Sequence, residues 1–406
     1  MQESGDVEYD PFSSIADPYP AYRTLLEASS PLPGPFPSMW LVAGWEQVRR
    51  VLGDRSFSAD RKRSTLFQSM PTEVPDPNLA EKLTLFDRIL LTLDPPHHTR
   101  LRRLVSHAFT PRVVDSLEPR IRAMAEELCD QMTDRADLIA TYAYPLPVMV
   151  IAELLGLPTE DRDRLKRWSD DVALLLDPFP SQEALQRFEV SIAEFRAYLD
   201  AVFDERRRRP GPDLISALVA ARDGDDALDD EELFALVVLL IAAGHETTTN
   251  LIGNAVIALT RHPDQRKLVI DQAEVWPNAV EELLRFDSPV QRTSRVATRP
   301  GELGGVALRA GDLVVLVLGA ANHDPRVFER PEELRLTRPN ASQHVSFGHG
   351  IHHCLGAPLA RLEGRVALET LYRRFPRLEA DVDGLDWKPS IVLRGVEKLI
   401  VAPGGH

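Results

Sequence analysis

Phe347-Gly-His-Gly-Ile-His-His-Cys-Leu-Gly356 sets three glycines around one cysteine, and a helical pattern resumes directly after it, to about Phe375. Glycine permits positive φ and lets the backbone come close to a flat ligand. Pro358 suits the first turn of the helix that follows. There the free N–H groups and the positive end of the macrodipole lower a thiol's pKa and favour the thiolate. A thiolate is a strong axial donor to a haem iron. Three other readings of Cys354 stand beside that one. It can be a small buried core residue. It can be a zinc ligand, although zinc wants several Cys or His at defined spacings and the adjacent histidines cannot all point inward. It can be a nucleophile paired with a His. The second cysteine, Cys129, lies mid-helix in Glu126-Glu-Leu-Cys-Asp130 and reads as packed and inert.

Working back from the loop, the next decisive stretch is Asp229-Asp-Glu-Glu232 and the long helical run it opens, which ends near Arg261 before His262-Pro263. At the standard rise such a helix is roughly 45–50 Å long. Acidic residues at its start complement the macrodipole. It is apolar nearly all round in its first half, so it passes through the centre of the protein. Midway lies Ala243-Gly-His-Glu-Thr-Thr248. A carboxylate and two threonines in an apolar helix are costly without partners or a task. Such a Thr hydroxyl can bond back to the i−4 carbonyl and bend the helix. His245-Glu246 is not a zinc-protease motif, because the second His would fall at Thr249.

Helical periodicity also covers 113–133, 144–156, 160–176, 182–208 and 278–286. The fourth of these ends in Arg206–Arg209 before Pro210, cations that suit a helix C-terminus. From Arg292 the pattern turns to short strands. Leu313–Leu318 reads as a buried strand after the Ala310-Gly-Asp312 turn, and Ile391–Leu393 with Leu399–Val401 reads as a hairpin. Pro-rich punctuation at Pro31–Pro37, Pro71–Pro77 and Pro178–Pro180 marks loops, not domain boundaries. The expected fold class is mainly α: one domain over 1–406, small β-sheets in the N-terminal and C-terminal parts, and a short disordered N-terminus of about residues 1–10.

Composition narrows the function classes. The 406 residues carry a net charge of −15, which disfavours nucleic acid as a partner. Two cysteines cannot form a disulfide framework, so a reducing compartment fits. The acidic, polar start Met1–Asp10 is unlike a signal peptide. The uncharged apolar stretch Leu233–Gly244 is too short to span a bilayer. A cytoplasmic protein with no membrane partner is expected.

The glycine-flanked cysteine segment resembles the haem-binding loop of the cytochrome P450 family, Phe-x-x-Gly-x-x-x-Cys-x-Gly, at Phe347, Gly350, Cys354 and Gly356. Other segments follow in the family's order. Ala243-Gly-His-Glu-Thr-Thr248 is similar to its oxygen-activation motif, which implies Glu246 and Thr247 as the acid–alcohol pair that manages protons. Glu282-Leu-Leu-Arg285 resembles its Glu-x-x-Arg motif, with Asn322–Pro325 and Phe328–Pro331 in the meander region and Arg338 as the third charged member, a folding role. The basic start Asp94–Arg103 runs against the macrodipole and wants an anion nearby. The resemblance implies that His98 and Arg102 bind haem propionates, and that Arg295 and His352 are further propionate contacts. His97, His349 and His353 remain loop or surface residues.

The resemblance covers roughly Asp10 to Val401. It implies haem b with Cys354 as axial metal ligand, and an O2-dependent monooxygenase that hydroxylates or epoxidises a bulky hydrophobic small molecule. Bacterial members that tailor macrolides, other polyketides, terpenoids or steroids are the most similar, so secondary metabolism is expected. The pocket stretches carried over contain Phe86 and Ile89, Leu239, Ala242 and Ala243, Val290 and Thr293, and Val392 and Leu393. Electrons from NAD(P)H are expected to arrive through a ferredoxin reductase and a ferredoxin, docked on Arg100, Arg102, Arg103 and Arg112 with Arg361 and Arg365. A monomer is expected. Two alternatives stay open: a haem-thiolate sensor without turnover, and a family member that couples or dehydrogenates its substrate.

Overall fold

The computed structural model describes residues 15–404 except 29–30, 70–76, 177–179 and 224–225. The N-terminal ten residues and most of the Pro71–Pro77 and Pro178–Pro180 loops lie outside the described residues. The organising element is the helix Asp230–Arg261, 32 residues long. Asp229 starts it with a capping box: its carboxylate accepts from the Glu232 N–H at 2.7 Å, and the Glu232 carboxylate accepts from the Asp229 N–H at 3.1 Å. By length and composition this helix could cross a membrane, but 67% of its most apolar window is buried inside the protein. It is a core helix, packed against Pro145–Leu155, Arg162–Ala173, Trp276–Phe286 and Ala357–Arg374.

The expected 113–133 helix is two helices, Pro111–Ser116 and Glu118–Asp130. Pro119 is the cause, since it has no N–H to continue the ladder. The 144–156 segment forms Pro145–Leu155 after a π-turn at Ile139–Ala143, and ends on Gly156 at φ +73°. Gln182–Arg208 is one helix, with the Ser181 hydroxyl accepting from the Ala184 N–H at 3.1 Å.

The main sheet joins the two ends of the chain, where separate small sheets were expected. Met39–Val42 runs parallel to Leu313–Val317, which pairs antiparallel with Arg292–Ala297; Leu32–Pro33 and Phe57–Ser58 are the edges. The hairpin expected between Ile391–Leu393 and Leu399–Val401 does not form. Ile400–Ala402 sits between Glu379–Ala380 and Ala136–Asp137 instead. Leu393 bridges to Val290. The segment is drawn there because Arg394 donates to Asp287 Oδ1 at 2.6 Å, and its carbonyl accepts from Asn254 Nδ2, on the long helix, at 3.0 Å.

Candidate active site

Cys354 lies two residues before Gly356, the N-cap of the helix Ala357–Arg374. Its backbone N–H donates to the Phe347 carbonyl at 2.9 Å, which closes the loop. Phe347 packs on Leu251, Val280 and Leu284, and the Arg361 guanidinium covers its ring at 4.5 Å. Gly350 has φ +72°, and a Cβ there would meet the Leu52 carbonyl oxygen at 2.6 Å. No other residue fits. Gly356 has an ordinary φ of −79°; what a Cβ would meet is the Cys354 sulfur, at 3.9 Å.

The sulfur is accessible to solvent, yet it lies well inside the fold. Burial pushes the free thiol's pKa up, against the N–H groups of Gly356 and Ala357 and the charges of Arg102 and Arg361. The depression expected from the helix start is therefore present but outweighed. A cation bound at the sulfur would remove that penalty.

Beside the loop, the helix His97–Ala108 brings His98 against His352, ring centroids 4.3 Å apart. His98 is 1% exposed, and neither of its ring nitrogens has a hydrogen-bond partner. Arg295 is buried, and burial holds its guanidinium down at about 10. Its Nη1 donates to the Ser294 carbonyl at 2.8 Å. Burial also lowers Arg102, with the Cys354 charge opposing. Buried donors without acceptors cost on the order of 1–3 kcal/mol each. This set of His98, Arg102, Arg295 and His352 fits a ligand that presents carboxylates, and the neighbouring sulfur fits an iron. The residues present thus fit a haem.

Burial pushes His98 from 6.5 to about 4, with Arg102 adding to the effect, and burial pushes His323 to about 3. Below about pH 6.5 the unfolded chain therefore binds protons that the fold refuses, so stability falls as pH falls. Urea midpoints of the haem-free protein are expected to drop progressively from pH 6.5 towards 4, with a shallower slope in H98F. Equal slopes would remove His98 from the account.

On the long helix, Ala243 is exposed while Leu239 and Thr247 are half-buried, a stripe at i, i+4, i+8. Thr247 Oγ1 donates back to the Ala243 carbonyl at 2.9 Å, and Thr248 Oγ1 to the Gly244 carbonyl at 3.1 Å. Glu246 Oε1 accepts from Lys388 Nζ at 2.6 Å and from Asn250 Nδ2 at 3.3 Å. Glu282 and Arg285 are fully buried on the helix Trp276–Phe286. The Glu282 carboxylate accepts from Arg285 at 2.7 and 2.9 Å and from Arg338 Nε at 3.0 Å to both oxygens.

Residues 161–393 match the family described as Cytochrome P450. The chain is 40% identical to cytochrome P450 monooxygenase PikC of Streptomyces venezuelae, over 95% of this chain and 90% of that protein. It is 39% identical to 6-deoxyerythronolide B hydroxylase of Saccharopolyspora erythraea, over 98% and 99%. The crystal structure of P450BioI in complex with an acyl carrier protein ligated to hexadec-9Z-enoic acid superposes with TM-score 0.88 at 35% identity, covering 97% of this chain and 99% of that one.

The chain belongs to the cytochrome P450 family.

As a cytochrome P450 it is a monooxygenase, and the family implies a cysteine-ligated haem iron. This cytochrome P450 has its expected pocket residues in more than one place. Thr293 and Val392 line an apolar groove of about 710 Å³, partly open to solvent, with Phe36, Met39, Leu41, Phe67 and Val315. Ala242 and Ile89 are packed into the main core, and Phe86 rests on it with its ring 5.9 Å from Phe188. Val290 and Leu393 bridge each other. Three cations expected on the docking face are already engaged. Arg100 pairs with Asp226 at 2.8 Å and with Glu232, Arg361 with Glu281 at 2.6 Å, and Arg365 with Glu118 at 2.6 Å. Sequence reading did not find Lys388 or Asp170. No spacing rule connects them to Glu246, although Lys388 is one of few lysines in an Arg-rich chain.

Proposed function

We propose that this cytochrome P450 binds haem b through the Cys354 thiolate and hydroxylates or epoxidises a bulky hydrophobic secondary metabolite, of macrolide, other polyketide, terpenoid or steroid type. One observation carries the reading: His98, fully buried with both ring nitrogens unpartnered, is gathered with buried Arg295 and half-buried Arg102 beside an exposed cysteine, a set of donors to which haem propionates would supply acceptors. Bound haem supplies activation of O2 and oxygen insertion.

In this reading Cys354 donates electron density to the metal. Arg102 and Arg295 bind propionates through charge-assisted hydrogen bonds, with His98 and His352 as neutral partners. Phe347, Gly350 and Gly356 hold the loop in shape around the sulfur. Glu246 moves a proton, and the Thr247 hydroxyl, free to turn from the Ala243 carbonyl, passes it on. The half-open stripe at Leu239 and Ala243, with Phe86, Ile89, Ala242, Val290, Thr293, Val392 and Leu393, excludes water and orients the substrate. Ala242 and Ile89 serve as backing to that wall. Glu282, Arg285 and Arg338 hold the fold.

The relative named 6-deoxyerythronolide B hydroxylase supports the macrolide and polyketide classes first. Electrons come from NAD(P)H through a ferredoxin reductase and a ferredoxin. With Arg100, Arg361 and Arg365 engaged, the exposed Arg112 leads docking, with the exposed Arg103 on the same face. The protein works as a cytoplasmic monomer.

The test is the spectrum of purified protein reduced with dithionite under carbon monoxide. A red-shifted Soret band is expected; no haem band after reconstitution would overturn the reading. Spin-state shifts against a panel of macrolides, terpenoids and steroids then identify the substrate class, and a panel-wide absence of shift would overturn the substrate claim.

A further inference from the structure

Below the acid–alcohol pair the long helix carries a second titratable group that the mechanism above does not use. His245 is 1% exposed. Its Nε2 lies 3.2 Å from Asp170 Oδ1 and 4.0 Å from Glu246 Oε2. Its Nδ1 faces the Ile241 carbonyl at 3.2 Å and the Ser169 hydroxyl at 3.2 Å. That hydroxyl has its own carbonyl acceptors, Leu165 O at 2.8 Å and Lys166 O at 3.0 Å. Each ring nitrogen therefore faces an acceptor, an arrangement in which either nitrogen can donate a proton. The His245 and Tyr144 rings meet edge to face, centroids 6.2 Å apart, and Lys166 Nζ lies over the phenol ring at 4.7 Å.

Asp170 is the outer member, on the helix Arg162–Ala173, with its side chain 27% exposed and paired with Lys166. Burial raises its carboxyl, but the hydrogen bond from His245 and the charge of Lys166 outweigh that and lower it. Glu246 is the inner member, 12% exposed and held by Lys388. The run Asp170–His245–Glu246 thus leads from solvent to the residue beside Thr247. The three groups are also close enough to ligate a metal ion. Lys166 and Lys388 already neutralise both carboxylates, which disfavours a cation there.

We propose that Asp170 and His245 form a proton inlet that recharges Glu246 from the surface of the protein. This rests on the reading of Glu246 and Thr247 as the acid–alcohol pair. His245 passes its Nε2 proton to Glu246 Oε2 when that carboxylate swings from Lys388, and keeps the Nδ1 proton on the Ile241 carbonyl. Asp170 takes a proton from water and returns it to Nε2. No electron moves, and one proton enters for each one delivered. His245 and Asp170 are positioning residues, since they act through Glu246.

The test uses the haem-loaded protein, reduced through a ferredoxin and its reductase, with oxygen consumption as the probe so that no substrate is needed. His245→Gln and Asp170→Asn are expected to slow oxygen consumption about ten-fold or more. They are also expected to raise the solvent isotope effect, and to make the rate climb as pH falls because bulk water must supply the proton. A second readout is independent of turnover. In the diamagnetic ferrous–carbonyl form, 15N-histidine resonances should show His245 protonated at both nitrogens in the parent, and at Nδ1 alone in Asp170→Asn. Glu246→Gln and Thr247→Ala separate the two ideas. If these two slow the reaction while His245→Gln and Asp170→Asn stay within two-fold of the parent, the inlet is overturned and the acid–alcohol reading stands. If all four stay within two-fold, the acid–alcohol reading falls and takes the inlet with it.

Discussion

Glu282→Ala is expected to leave little folded protein, with a loss of about 3–5 kcal/mol, the cost of breaking a buried pair from one side. Two guanidiniums depend on this carboxylate. Arg285 is 0% and Arg338 1% exposed, and alanine would strand both charges. Stability of a domain is about 5–15 kcal/mol in total, so this single change consumes a large share. Damage should reach the cysteine loop along a traceable route. Arg285 Nη1 donates to the Asn322 carbonyl at 2.9 Å, and the Asn322 side chain accepts from the Val345 N–H at 2.7 Å and donates to Ser346 Oγ at 2.9 Å. Phe347, the next residue, holds the Cys354 N–H. Haem retention should therefore fail at lower urea than helical circular dichroism does. Glu282→Ala protein with the parent's midpoint would show that the trio is not needed.

Cys354→Ala is the second large effect, and it spares the fold. The residue is exposed, and the backbone N–H that closes the loop survives the change. The parent thermal midpoint should hold within the scatter of a surface substitution, about 0.5 kcal/mol. Function should not survive. In the proposed reading Cys354 would be the thiolate donor to the haem iron, and a haem bound without it would lack the electron donation that the thiolate supplies. Oxygen consumption is expected to fall at least about a thousand-fold, some 4 kcal/mol of barrier, and the red-shifted carbonyl band should vanish. Retention of that band in Cys354→Ala would move the metal ligand elsewhere.

Local signals were legible wherever one stretch of chain contains its own explanation. The glycine spacing around Cys354, the acidic start at Asp229 and the run of apolar residues to Gly244 each specify a structure without help from distant parts. Arg338 was legible too, but only through family likeness, since nothing near it in sequence marks it as a partner of Glu282. What escaped was tertiary. Ile391–Leu393 and Leu399–Val401 have strand composition, yet Arg394 is claimed by Asp287 and Asn254, and the chain is pulled off the hairpin path. Arg100 and Arg361 read as free cations, because their acids, Glu232 and Glu281, lie on other helices. Glu246 was legible as an acid; Lys388 and Asp170, which set its electrostatics, were not.

The central strand pairing has a consequence for how the protein is made. Trp40 donates its indole N–H to Asp312 at 3.0 Å across 272 positions of chain, within the parallel pairing of Met39–Val42 and Leu313–Val317. At a synthesis rate of about 5–20 residues per second, the early strand waits for its neighbour for roughly 15–50 seconds. During that time Met39, Leu41 and Val42 have only the two-residue edge Leu32–Pro33 to pair with. Nascent chains stalled before Leu313 should bind trigger-type chaperones through this segment and release them once the ribosome passes Val317, so that expression yield is governed by translation speed and chaperone supply more than by the stability of the finished enzyme.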